Sequence, residues 1–149
     1  MSIMNMAKEI KQIYPDSVIC YRTGKFYSAY GKDCYILSDI FNYKINKIQN
    51  DIPRCGFPIN ATKRVMAKLE EKKIDYIFLD VKNNYDIEEK ISNGNLNKYT
   101  KVLEKSYKKV KTKNKIENIM DILKSQIEEP NFIDKLNKIE EIINEKWKI

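Results

Sequence analysis

Apolar residues recur along this chain with mixed periods in its first half and with helical spacing alone in its last third. Residues 1–14 carry Ile3, Met6, Ile10 and Ile13 three and four apart, which predicts a helix stopped by Pro15-Asp16. Residues 18–22 (Val-Ile-Cys-Tyr-Arg) and 25–30 (Lys-Phe-Tyr-Ser-Ala-Tyr) are rich in β-branched and aromatic types on either side of Thr23-Gly24, the pattern of an antiparallel hairpin. A helix follows Gly31, with Cys34, Leu37, Ile40 and Phe41 on one side. Residues 44–57 read as short extended pieces interrupted by Pro53 and Gly56. Asn60 is the expected N-cap of the next helix, whose buried stripe is Val65, Met66 and Leu69 and whose last turn sets Lys72-Lys73 at the negative end of the dipole. Residues 75–81 (Asp-Tyr-Ile-Phe-Leu-Asp-Val) predict a largely buried strand.

The composition shifts after Asn83-Asn84, and residues 92–95 (Ser-Asn-Gly-Asn) mark a loop. From there three apolar stripes follow: Leu96, Tyr99, Leu103, Tyr107 and Val110; then Ile116, Ile119, Leu123 and Ile127; then Phe132, Leu136, Ile139, Ile143 and Trp147. Pro130 separates the last two. The expected fold class is α+β: a mixed β-sheet flanked by helices over residues 1–83, followed by a helical extension of about three helices over residues 95–149. The chain's 149 residues are one domain's worth with an appendage, too few for a multi-domain machine.

Charge changes this picture only locally. The chain carries +7, yet 25 lysines, 23 isoleucines and 15 asparagines make up 63 of its 149 residues, the usage of an AT-rich gene, so net basicity alone is weak evidence for a polyanion partner. What is missing says more. With no histidine, the usual general base, the Ser-His and Cys-His nucleophile pairs and every imidazole zinc site are excluded. Cys20, Cys34 and Cys55 have neither CxxC spacing nor an even count, so they suggest no disulfide framework or metal knuckle, and a reducing cytoplasm is the expected location. Neither a leader pattern nor a membrane-length apolar run is present, so no membrane association is expected. No GxxxxGK[ST] loop occurs, and neither cofactor nor metal is expected. Pro15-Asp16 with Asp80-Val81-Lys82 formally matches a metal-dependent nuclease pattern, but one short enough to arise by chance.

Two segments carry a more specific signal. Residues 14–30, YPDSVICYRTGKFYSAY, and residues 52–69, IPRCGFPINATKRVMAKL, resemble in order and separation the opening of the mismatch-recognition domain (domain I) of MutS proteins, where an Arg and a Gly turn precede Phe-Tyr-Glu and an Ile-Pro-x-x-Gly-x-Pro-x-x-Ala run leads into a helix. The resemblance covers roughly residues 7–82, and none is apparent beyond Asn83. It implies a mixed sheet with flanking helices and binding to duplex DNA. In that family the Phe wedges beside a mispaired base and the Glu hydrogen-bonds it. Here Phe26 matches the wedge, Ser28 stands at the Glu position and Lys25 at the usual Asp. The two replacements change local charge by +3. They favour attraction to phosphate while deleting the base-contacting carboxylate. Arg22 and Lys25 flank the tip. From the residues alone, strand aromatics are usually core, and alternation leaves open whether the side bearing Phe26, Ser28 and Tyr30 or that bearing Tyr27 and Ala29 faces outward. Gly24 reads as a turn residue, Gly56 with Pro53 and Pro58 as a rigid bend, and Cys55 as a small packing residue.

Between Lys98 and Lys115 eight lysines face one acid, Glu104. Lys98, Lys101, Lys105 and Lys108 share a helix face, which is either a phosphate contact or a solvated surface. Two functions are therefore expected. One is a non-catalytic nucleic-acid-binding protein, with duplex DNA ahead of RNA and without strong mismatch selectivity. The alternative is a protein-interaction module of the same fold that has lost nucleic-acid binding and docks or homodimerises through its C-terminal helices.

Overall fold

The computed structural model describes residues 2–147. The chain forms two compact units, one running to Val110 and the other starting at Lys111.

In the first unit, helix α1 (Ile3–Ile13) opens on Ser2, whose hydroxyl accepts the Asn5 N–H at 3.2 Å, an N-cap that offsets one orphan donor of the first turn. Its inward residues are Ala7 and Ile10, while Ile13, expected on the same stripe, is exposed. Strands β1 (Val18–Thr23) and β2 (Phe26–Tyr30) form the expected hairpin. Helix α2 (Asp33–Phe41) follows, then β3 (Asn46–Ile48), β4 (Ile52–Pro58), α3 (Thr62–Glu71), β5 (Tyr76–Asp80) and β6 (Asp86–Ile91). They make one mixed sheet of order β3-β4-β2-β1-β5-β6 in which β1 and β5 run parallel and the other neighbours antiparallel.

Two local expectations are corrected and one unexpected strand appears. Pro53 and Gly56 lie within β4 rather than interrupting it, Pro53 opposite Lys47 of the short strand β3 and Gly56 opposite Ser28. Asn60 is not the N-cap of α3, because the chain leaves Pro58 through a 3-10 turn (Ile59–Ala61) that contains it, and the cap position falls on Ala61. Strand β6 escaped the pattern because it is an edge strand whose Asp-Ile-Glu-Glu-Lys-Ile run is exposed on both faces up to Ile91, the one residue of it that packs on the core, so little alternation is imposed on it.

Each face of the sheet buries its own cluster. Ile19, Tyr21, Ile77 and Leu79 meet Ala7 and Ile10 of α1. Val18, Cys20, Tyr27, Ala29, Cys55, Phe57 and Phe78 meet α2, α3 and Tyr99. All three cysteines are free and buried, and burial pushes the thiol of Cys20 upward, away from reactivity. Helix α4 (Leu96–Ser125) contributes its first turns to this unit, with Tyr99, Ser106 and Val110 buried. Leu96 and Tyr107, expected on the same stripe, are exposed. The Ser106 hydroxyl donates to Asp39 of α2 at 2.9 Å.

The polar centre of the unit is Asp33, 2% exposed. Its carboxylate accepts from the Lys11 ammonium at 2.8 Å, the Ile19 N–H at 3.1 Å and the Tyr99 hydroxyl, so that α1, β1, α2 and α4 meet on one group. Lys11 also lies 4.2 Å from the centre of the Tyr99 ring, a cation–π contact.

In the second unit, the rest of α4 and helix α5 (Phe132–Lys146) are joined by a turn containing Pro130, with Asn131 in the left-handed region at φ 63°. The first two apolar stripes share α4, because no Gly or Pro lies within it to end the helix between Val110 and Ile116.

Several buried tyrosines are held neutral. Burial first and the Asp33 carboxylate second push Tyr99 well above its usual range; burial also raises Tyr21 and Tyr76, and burial followed by Glu88 pushes Tyr27 up to about 12. A phenol whose folded pKa exceeds its unfolded value near 10 contributes its full stability below that value and loses it as pH rises through the folded one. Thermal unfolding followed from about pH 9 to about pH 12 should therefore show a falling Tm, with a shallower fall in Tyr99→Phe. A Tm that stays level over this range would contradict neutral, buried phenols.

Candidate nucleic-acid interface

The β1-β2 hairpin closes through the two residues Gly24 and Lys25, between the paired Thr23 and Phe26. Gly24 alone of the two has positive φ, +67°, as a type II′ hairpin turn requires, and the glycine there avoids the strain an L side chain would meet. The turn's twist matches that of the strands, so the tip is a continuation of the sheet. The Ile59 N–H donates to the Lys25 carbonyl at 3.0 Å and ties the tip to the segment after β4.

Phe26 is the first residue of β2, paired with Thr23 on one side and Pro58 on the other, and 54% of it is exposed. The alternation left open by the sequence is thereby settled: Tyr27 and Ala29 point into the core with α2 and α3, and the Phe26 side is the one that α1 covers only toward its Tyr30 end. Arg22 is half-buried beside the tip, its Nε donating to the Gly24 carbonyl at 3.4 Å and its Nη1 lying 3.6 Å from Glu88 of β6. Lys25 is exposed.

Ser28, two residues along on the same face as Phe26, is 1% exposed, and its hydroxyl accepts from Arg54 Nη2 at 2.9 Å. Sequence reading missed Arg54. The available sign was its i, i+2 relation to Gly56 and Pro58 on β4, which sets all three on the face of Ser28 and Phe26. Gly56 is a packing requirement: a Cβ there would lie 2.8 Å from the Tyr27 carbonyl oxygen, a backbone atom that cannot step aside.

The lysine stripe lies elsewhere. Lys98 is half-buried at the start of α4, where its N–H is capped by the Asn95 side chain at 3.0 Å, while Lys101, Lys105 and Lys108 are exposed on the side of the helix away from Tyr99, Ser106 and Val110. With Glu104 and Tyr107 they line one shallow surface depression. That helix packs on the α2-α3 side of the sheet, whereas Phe26 and Ser28 lie on the α1 side. The structure therefore sets Lys25 and Phe26 at the hairpin tip, with Ser28 buried two residues along on the Phe26 face and Arg22, in register with Tyr27, on the opposite face, and leaves Lys101, Lys105 and Lys108 as a second, separate surface.

The nuclease pattern is not assembled. Asp16 precedes Val18, which pairs with Tyr76, whereas Asp80 pairs with Arg22 at the other end of the same strands and spends its carboxylate on the Lys82 N–H at 3.0 Å. Among the described residues no group of three His, Cys, Asp or Glu side chains is arranged to hold a metal ion, and no helix is long and apolar enough to cross a membrane.

A sequence model of the family described as MutS domain I matches residues 1–118. The chain belongs to the MutS domain I family. The match runs past the resemblance seen at residues 7–82 and includes β6 and much of α4. Similar curated proteins are the DNA mismatch repair protein MutS of Chlorobium chlorochromatii, 36% identical over 70 residues, that of Thermotoga petrophila, 35% over 69, and that of Leptospira interrogans, 31% over 67. These alignments cover 45 to 47% of this chain and only 8 to 9% of the relatives, so the chain corresponds to a small part of those proteins.

As a domain I hairpin tip, Phe26 should be dispensable for stability while Gly56 is not. Truncating a buried Phe costs about 3 to 5 kcal/mol, but Phe26→Ala should cost on the order of 1 kcal/mol or less, whereas Gly56→Ala should cost roughly 1 to 3 by overpacking. Denaturant titration of the two variants distinguishes them, and a greater loss in Phe26→Ala than in Gly56→Ala would contradict the exposed tip.

Proposed function

We propose that this protein is a non-catalytic duplex-DNA-binding protein that works through the hairpin tip, with Phe26 as an inserted wedge and without strong mismatch selectivity. The observation that carries this reading is the half-exposed Phe26 at the end of a hairpin whose loop residue is Lys25 and whose neighbour is Arg22. A large apolar ring kept at a cationic tip is costly in water and useful against a nucleic acid. Inserting it at a base step costs a few kcal/mol of unstacking, offset by stacking on the ring and by the contacts of a bent duplex. Lys25 supplies the phosphate attraction at the tip, Arg22 adds to it from the opposite face where Glu88 offsets part of its charge, and the exposed Lys101, Lys105 and Lys108 offer a second phosphate-facing surface.

Weak selectivity follows from Ser28. Direct readout of a mispaired base needs a polar group that reaches the base edge. The Ser28 hydroxyl is buried beneath the surface and occupied by Arg54. The remaining preference is indirect, because a mispaired step unstacks more easily than a paired one.

Anisotropy titration against labelled matched and G·T duplexes tests the reading. A salt-sensitive Kd of about 10⁻⁴ to 10⁻⁶ M is expected at physiological salt, with less than about a tenfold preference for the mismatch and most of the affinity lost in Phe26→Ala. Absence of binding at ~100 µM protein in low salt would overturn the function. A hundredfold mismatch preference would overturn the assignment of Ser28.

A further inference from the structure

Arg54 of β4 is half-buried, and its guanidinium donates to the Ser28 hydroxyl at 2.9 Å. Among the described residues no carboxylate pairs with it, in contrast to Arg22, which faces Glu88. A guanidinium carries five N–H donors and keeps its charge, so Ser28 fixes the group while leaving most of its donors and its whole charge unmatched. Its placement is specific. Arg54 stands opposite Tyr30 in the β2-β4 register, and its side chain reaches back toward the hairpin tip, with Nη2 only 3.5 Å from where a Cβ on Gly56 would lie. No residue of β4 joins the cluster that α1 covers, and the bare backbone of Gly56 gives the guanidinium room to lie across β4 and β2. It is thus anchored two residues along β2 from Phe26, about 7 Å at ~3.3 Å per strand residue, or about two base-pair rises of a duplex. The Ile-Pro-x-x-Gly run leaves this position unspecified, so the arginine is a feature of this chain rather than of the motif.

We propose that Arg54 reads base edges in the minor groove beside the step that Phe26 opens, and that it gives this protein a preference for A·T over G·C pairs there. The inference rests on the duplex-binding function proposed above and names the base composition that function selects. Apolar wedges of this kind enter from the minor groove, so a guanidinium on the same sheet face meets the floor of that groove next to the opened step. A·T and T·A pairs present only acceptors there, A N3 and T O2, whereas a G·C pair adds the amino donor on G N2. Arginine has donors alone. It is matched by the first pattern and opposed by the second. Ser28 is then a positioning residue: its buried hydroxyl, too far below the surface to touch a base, orients the group that does. Because the contact needs no mispair, it selects composition without adding mismatch selectivity.

Anisotropy titration of the full chain against three matched duplexes of equal length, built of alternating A·T, G·C or I·C pairs, tests this. Inosine lacks the N2 amino group and keeps the major-groove edge of guanine, so the A·T and I·C duplexes should both bind about fivefold more tightly than the G·C duplex. Since A·T and I·C steps also unstack more easily than G·C, two variants assign the preference. Arg54→Met keeps an unbranched stem without donors, and Arg54→Lys keeps the charge without the fork; both should lose most of the preference, and Arg54→Lys should keep the wild-type salt slope. Equal wild-type affinity for the three duplexes, an I·C duplex that binds as weakly as G·C, or a preference undiminished in both variants would each overturn Arg54 as the reader while leaving duplex binding in place. Absence of binding to any of the three would instead overturn the duplex-binding function, and this inference with it.

Discussion

The Asp33 carboxylate is the constraint around which the sheet unit is arranged. Removing an ionised carboxylate from water costs several kcal/mol, so its burial is tolerable only where donors replace the lost hydration. Three do so: the Lys11 ammonium from α1, the Ile19 N–H from β1 and the Tyr99 hydroxyl from α4. The donors come from positions up to 66 residues away, so each contact fixes a different element against the start of α2. Removing any one leaves part of a buried charge without a partner, which is why the four elements hold their relative positions together rather than pairwise. Helix α4 owes its place over the α2-α3 side to this group and to the Ser106–Asp39 hydrogen bond about two turns further along.

This anchoring has a geometric consequence for the hairpin. Asp33 bonds β1 at Ile19 and follows the C-terminal end of β2, so the polar centre clamps the hairpin at the end opposite Gly24 and Lys25. The tip extends from a fixed base and needs no core contacts of its own. Its position depends instead on the close approach of β4, where Gly56 lets its strand lie against the Tyr27 carbonyl and Arg54 occupies the Ser28 hydroxyl. Phe26 can stay exposed because the aromatic packing of this strand is carried by Tyr27, against Phe57 and Phe78.

Much of this was legible in the sequence where burial imposes a period. The hairpin, α2, α3 and β5 follow from residues buried in one or other of the sheet's two clusters, and the α+β class follows from their order. Family membership was legible from the Arg-Thr-Gly-Lys-Phe-Tyr and Ile-Pro-Arg-Cys-Gly-Phe-Pro runs, because turn and close-approach positions restrict residue type. What escaped was decided by long-range contacts. Strand β6 is largely exposed and so carries little alternation; on α4 the expected Tyr99, Leu103 and Val110 do face inward, but Ser106, a polar residue turned inward by Asp39, joins them while Leu96 and Tyr107 turn out. The spacing of Arg54 with Gly56 and Pro58 sets its face but not its partner Ser28, and nothing local marks Asp33 as a hub, since a buried carboxylate and an exposed helix-start Asp look alike in a sequence. The surface order of the site, with Phe26 outward and Ser28 beneath Arg54, is likewise a property of the packed sheet.

The central functional claim is spatial, that duplex DNA meets the hairpin tip and not the clamped end of the same hairpin. Amide NMR mapping of the full chain, titrated with a short matched duplex in low salt, tests it most directly. The account predicts the largest perturbations at Gly24, Lys25 and Phe26 and in the adjoining segment after Pro58, with Ile19, Asp33 and Tyr99 unmoved. Perturbations centred on the Asp33 end of the sheet, with a silent tip, would contradict it.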